Sequence, residues 1–176
     1  MTYPNHALFD IETLINEAQP RSILLLGDVS SDLLNCYVEQ KALLQQACTL
    51  THFNSAQVDQ VISLEERFDV AVAINLFEHI PKQTGVRLLS RLRDVLTPQY
   101  CICLPLANST ADNDQSAPTW QLTELFSFAL KKVNEYQTEH GQLGLFKYNI
   151  DDYKSTPDWL NPNNWANPNM WDKYRW

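Results

Sequence analysis

The sequence predicts an α/β domain built on a mostly parallel sheet that ends in a C-terminal antiparallel hairpin. Three observations carry this. Short, nearly continuous apolar runs at 22–26 (SILLL), 68–74 (FDVAVAI) and 100–106 (YCICLPL) suit strands buried on both faces. Segments with apolar residues at helical spacing alternate with these runs, as strands joined by crossover helices require. Near the end, 132–139 (KVNEYQTE) and 144–150 (GLFKYNI) flank HGQL, a hairpin signal with glycine available for positive φ.

Each element follows in order. Asn5 is expected to cap a helix over 6–18, with Leu8, Ile11, Ile15 and Ala18 on one face and Pro20 ending it. The strand 22–26 stops at Gly27. A helix over 31–46, capped by Ser30 or Ser31, turns Leu33, Leu34, Tyr37, Val38 and Leu44 inward. Residues 48–53 (CTLTHF) form a second strand, and 68–74 the next. Pro81 opens a helix at a position where its missing N–H costs nothing; Val86, Leu88, Leu89, Leu92, Val95 and Leu96 fill its apolar side, and Thr97-Pro98 ends it. After the strand 100–106 come a polar loop (107–117), an amphipathic helix over 119–130 and the hairpin. Residues 1–150 therefore read as one domain, opened by a helical segment within 1–20, and 151–176 as a tail.

Composition limits the function. A chain of 176 residues makes one domain with a proper core. A net charge of −8 argues against a nucleic-acid groove, which needs clustered Lys and Arg. No apolar run reaches the ~20 residues that span a bilayer, and the first residues lack a signal-peptide pattern, so a cytoplasmic chain without a membrane partner is expected. Cys101 and Cys103 form a C-x-C pair, but within an apolar strand and with no second Cys/His pair nearby. Core packing is expected there rather than a metal. There is no G-x-S-x-G elbow, Walker loop or H-E-x-x-H, and Asp151-Asp152 reads as a solvated loop.

The tail differs from the domain. Trp159, Trp165, Trp171 and Trp176 are four of the five tryptophans, and WLNPNNW followed by WANPNMW is a six-residue repeat. Asn-Pro pairs break helices, so these rings must dock on something else. Self-docking, a protein partner or a homodimer through the tail fits the acidic charge better than stacking on nucleobases.

Phe68-Asp-Val-Ala-Val-Ala-Ile-Asn75-Leu-Phe-Glu78-His79-Ile-Pro81, followed by Leu88-Leu-Ser-Arg-Leu-Arg-Asp-Val-Leu96-Thr-Pro98, resembles the class I S-adenosylmethionine-dependent methyltransferase superfamily. The resemblance implies a Rossmann-like, methyltransferase-like sheet with S-adenosylmethionine as cofactor and a small-molecule or protein acceptor. It places the cofactor across Gly27, Asp28, Val29 and Ser30, then His52, Phe53 and Asn54, then Asn75, Leu76 and Phe77. His79 is the candidate base, or else joins Glu78 in holding the turn before Pro81. The acceptor would enter beside His79 and the 107–117 loop.

Three departures from the family accompany the match. Val29 and Ser31 stand where its G-x-G-x-G loop has the second and third glycines, and the loop reads as a strand–helix turn with a serine cap. The second strand ends Thr51-His52-Phe53-Asn54, without the carboxylate that holds the ribose hydroxyls. Only residues 54–67 separate the second strand from Phe68, whereas a helix, a strand and two loops need roughly 25 residues. One of that pair is expected to be lost or vestigial, and with it the adenine-reading loop. Two functions follow: a divergent methyltransferase-like protein of unknown acceptor, or a non-catalytic scaffold that uses its aromatic tail for interaction.

Overall fold

The computed structural model describes residues 3–106, 120–139 and 141–153. The 107–117 loop and the tryptophan repeats of the tail lie outside them. The described elements are α1 (Asn5–Ala18), β1 (Ser22–Leu26), α2 (Asp32–Leu43), β2 (Thr49–Phe53), α3 (Val58–Ile62), β3 (Val70–Ile74), α4 (Lys82–Arg91), β4 (Gln99–Pro105), α5 (Leu122–Ser127), β5 (Lys131–Thr138), β6 (Gly141–Asn149) and α6 (Ile150–Tyr153). Six strands form one sheet in the order β2-β1-β3-β4-β6-β5. The first four are parallel, and β6 runs antiparallel to both β4 and β5.

Alternation along the strands divides the core into two layers. Ile23 and Leu25 of β1, Val72 of β3 and Cys101 and Cys103 of β4 face Ile11 and Ile15 of α1 and Leu34 and Tyr37 of α2. Leu24, Leu26, Ala71, Ala73, Ile102 and Leu104 face the other way, toward Val61 of α3, Leu88 and Leu89 of α4 and Leu125 of α5. Every residue of β3 is buried, which is why its sequence reads as a continuous apolar run. Each buried aliphatic side chain contributes about 1.5–3 kcal/mol of transfer free energy. Trp120 joins this second layer, meeting Phe77 edge-on at a centroid distance of 5.5 Å.

Strand positions follow the sequence reading closely, and helix ends less so. Pro4, not Asn5, occupies the cap position of α1, because Asn5 is already helical; the buried face is Ala7, Ile11 and Ile15, with Leu8 and Ala18 only partly covered. Helix α2 stops at Leu43, and Leu44 is exposed because the chain has left the helical register there. Pro81 is the residue before α4, with Lys82 the first in the helix, and Val86 faces outward. The segment ends in a wider turn, Leu92–Leu96, that returns Leu92 and Leu96 to the core. The helix expected over 119–130 is the six-residue α5, since Trp120 makes a bridge to Leu106 instead. The hairpin loop is tighter than four residues, because Gly141 and Gln142 already pair with Thr138 and Gln137. Between Phe53 and Phe68 a short helix, α3, is kept and no strand is present.

Gly27 ends β1 with φ +122, and a Cβ built there would lie 1.8 Å from the Ile74 carbonyl oxygen. Its N–H donates to Phe53 O at 2.9 Å, and the next N–H, of Asp28, donates to Asn75 O at 3.1 Å. Gly27→Ala should therefore clash with backbone and strain φ at once, costing about 4 kcal/mol or more. Loss of a cooperative thermal transition in that variant is the expected result.

Candidate functional site

In an open α/β sheet, ligands bind at the carboxyl ends of the strands. Here the ends of β1, β2 and β3 bring together the three segments singled out in the sequence, 27–30, 52–54 and 75–79. Asn75 carries the turn after β3. It adopts φ +51, a left-handed conformation that Asn tolerates better than most residues. Its Nδ2 donates to the Asp28 carbonyl at 2.8 Å, and its Oδ1 lies 3.2 Å from His79 Nε2. The side chain thus ties the loop after β1 to the turn that leads into α4.

Asp28 makes the second tie. Its Oδ1 accepts from the Ser55 N–H at 3.0 Å and its Oδ2 from the Ser55 hydroxyl at 2.6 Å. His79 Nε2 stands 4.0 Å from the same Oδ2. Burial pulls the Asp28 pKa up, but the two Ser55 hydrogen bonds outweigh it with help from the nearby His79 and His52 imidazoles. The carboxyl is held below its ordinary value.

His52 Nε2 meets the Gly27 carbonyl at 2.9 Å. Asn54 opens a turn with Gln57 in a capping box, its N–H donating to Gln57 Oε1 at 3.1 Å. Val29 packs against the layer of α1 and α2, and Phe53 against the opposite layer. Leu76 and Phe77 are fully buried, so only their backbone borders the crevice. Ser30 turns away to Asp32, its hydroxyl donating to Oδ2 at 2.8 Å.

Two residues that sequence reasoning missed complete the site. Ser55 follows Asn54 directly but carries no motif. Tyr3 lies far away in sequence, yet its hydroxyl donates to Glu78 Oε1 and accepts the Asn75 N–H at 3.0 Å. Burial first, then the neighbouring Glu78 carboxylate, raises the Tyr3 pKa well above the usual tyrosine value, so the hydroxyl stays neutral. The other Glu78 oxygen, Oε2, is buried and has no hydrogen-bond partner among the described residues.

The described residues do not fit S-adenosylmethionine in the way the family resemblance implies. Gly27 gives its space to Ile74, not to a ligand. Both Asp28 oxygens are engaged by Ser55. The end of β2 offers His52 and Asn54, already bonded within the chain, and no carboxylate for a diol. Among the described residues no strand lies outside β2 in the sheet to present an adenine-reading loop.

Tyr3→Phe should leave the buried Asn75 N–H unpaired and the Glu78 carboxylate without its hydroxyl donor, costing about 2 kcal/mol. A lower urea midpoint with an unchanged slope would show it. Ser55→Ala should cost less, about 1 kcal/mol, because the Asp28 side chain is 38% exposed and solvent screens the pair. Because the folded pKa of Asp28 lies below its unfolded value, this stabilisation is complete above the ordinary carboxylate range and is lost as pH falls through the folded pKa. The difference between wild type and Ser55→Ala should therefore shrink in strong acid when urea unfolding is compared with that at neutral pH.

Comparison with solved structures gives a methyltransferase fold. Magnesium protoporphyrin IX methyltransferase (ChlM) from Synechocystis PCC 6803, with bound SAH, shares 7% identity at a TM-score of 0.51 over 81% of each chain. TehB from Haemophilus influenzae shares 9% at 0.52, over 80% of this chain and 61% of that one. The small RNA methyltransferase HEN1 shares 10% at 0.54, over 82% of this chain but only 25% of that one. At such identities the likeness concerns the fold alone. No curated protein matches the sequence. A family model described as "Family of unknown function (DUF6231)" matches residues 5–176, and the chain belongs to that family.

Proposed function

We propose that this protein is a methyltransferase-fold scaffold that binds a protein partner through its aromatic tail and does not transfer methyl groups. The observation that carries this reading is the Asp28–Ser55 tie, which joins the loop after β1 to the turn after β2 across the family's cofactor crevice. Asn75 and His79 extend the same network toward α4. A ligand lying across these strand ends would have to separate groups that already satisfy one another. The four tryptophans of the tail supply the kind of side chain enriched at interface hot spots.

A second reading is a divergent S-adenosylmethionine-dependent methyltransferase with a variant site. The fold likeness supports it, the Synechocystis structure with bound SAH included. So do the partly exposed Asp28 and His79 side chains at the rim of the crevice. In that reading Asp28 would release Ser55, the backbone of 75–77 would border the cofactor, and alignment rather than one side chain would supply most of the rate.

Thermal unfolding with S-adenosylmethionine or S-adenosylhomocysteine at millimolar concentration separates the two. A ligand at about a hundred times its Kd would raise the midpoint by roughly 5–11 °C in a domain of this size. The scaffold reading expects no shift with either compound, and a shift of that order abandons it for the second.

A further inference from the structure

The sheet has two edges, β2 and β5, and they are built differently. Edge strands invite pairing with another chain unless charges, bulges or cover prevent it. The β5 edge carries Lys131, Lys132 and Glu135, two of them paired to each other and Lys131 to Asp152, and its register breaks in a bulge between Lys132 and Asn134. The β2 edge has neither device. From 42 to 58 the chain contains no Asp, Glu, Lys or Arg. The other run of that length, 95–111, contains the buried strand β4. The 42–58 run also carries Leu43, 84% exposed, and Leu44, 67% exposed.

The missing strand accounts for the open edge: the chain turns from β2 into α3 without adding a strand outside it. Along β2, the Thr49 N–H donates to Arg21 O and the Phe53 carbonyl accepts from Gly27, so the odd residues address β1. Alternation turns the N–H and C=O groups of Leu50 and His52 outward.

We infer that β2 is a homodimerisation edge, pairing antiparallel with β2 of a second copy about a two-fold axis at Thr51. In that register Leu50 faces His52 of the partner subunit, both outward residues exchange both their bonds, and Thr51 meets its own symmetry mate. A second copy is the occupant because the contact is self-complementary. The charge distribution argues the same way. Two chains of net charge −8 repel each other, and least where charge is absent. Among the described residues this edge combines a charge-free stretch of chain with outward backbone groups that no strand of the sheet pairs. The inference is independent of whether the crevice binds a cofactor.

The test uses the full chain. Light scattering on a sizing column should give twice the 20.3 kDa monomer mass at micromolar concentration. Leu50→Pro removes an outward N–H, leaves the bonds to β1 intact, and should give a folded monomer. Thr51→Cys, in a background with Cys36→Ser and Cys48→Ser, should crosslink rapidly under mild oxidation, because residues facing each other at a non-hydrogen-bonded site have Cα atoms about 4.5 Å apart. Val133→Cys in the same background, on the other edge, should stay uncrosslinked. A monomer at every concentration overturns the inference. So does a dimer that Leu50→Pro leaves intact, a dimer lost only on removal of 157–176, or equal crosslinking at both positions. If Leu50→Pro fails to fold, the Thr51→Cys crosslink alone decides, its presence supporting the edge and its absence overturning it.

Discussion

The approach of Gly27 to the Ile74 carbonyl is the contact on which the site depends. A chain with only four glycines uses one of them where two parallel strands end side by side. Because no Cβ stands between them, the Gly27 N–H reaches Phe53 O on one side and the Asp28 N–H reaches Asn75 O on the other. Three strand ends are thereby fixed to one another by backbone alone. The side-chain ties of Asp28 and Asn75 are then local consequences, since each spans a gap that the backbone has already closed. The same glycine position serves cofactor approach in the family that the sequence resembles. Here its missing side chain serves chain packing.

How much of this could be read beforehand depended on the range of the interaction. The parallel strands were legible because burial on both faces leaves a local signature, and SILLL at 22–26 coincides with β1. Helix ends were less so. Leu44 carries an apolar side chain, but position along the chain rather than hydrophobicity decides whether it still faces the sheet. The shortened α5 has a tertiary cause: Trp120 spends its segment on a bridge to Leu106 and on Phe77. The segments of the site were legible from a single motif stretch, but their partners were not. Tyr3 reaches Asn75 across most of the first half of the chain, and nothing near either residue announces the contact.

The short passage from β2 to β3 has two consequences from one cause. With fourteen residues, 54–67, the chain affords α3 and a turn, and α3 sends Val58 and Val61 into the layer shared with α4. A strand omitted at that point removes the loop that would read a base at one end of the sheet. It also leaves β2 at the edge of the sheet formed by the described residues. Fold likeness at a TM-score near 0.5 is found over about four-fifths of the chain despite that short passage. Likeness of fold is therefore compatible with a site whose chemistry has changed.

Competition within the crevice sets the terms for any ligand there. Asp28 is held ionised by donors from Ser55, and a hydrogen bond to a charged group contributes about 1.5–3 kcal/mol when shielded and less at this exposure. Separating the Asn75 amide from the Asp28 carbonyl would add about 1 kcal/mol more. A ligand must replace these bonds before it contributes affinity of its own, and every 1.4 kcal/mol left unreplaced weakens binding tenfold. Glu78 Oε2 is different: it is buried and, among the described residues, has no partner to lose. A donor brought to that oxygen would gain a hydrogen bond without breaking one, so the unsatisfied point of this network lies on the Tyr3 side of the crevice, away from the Asp28–Ser55 tie.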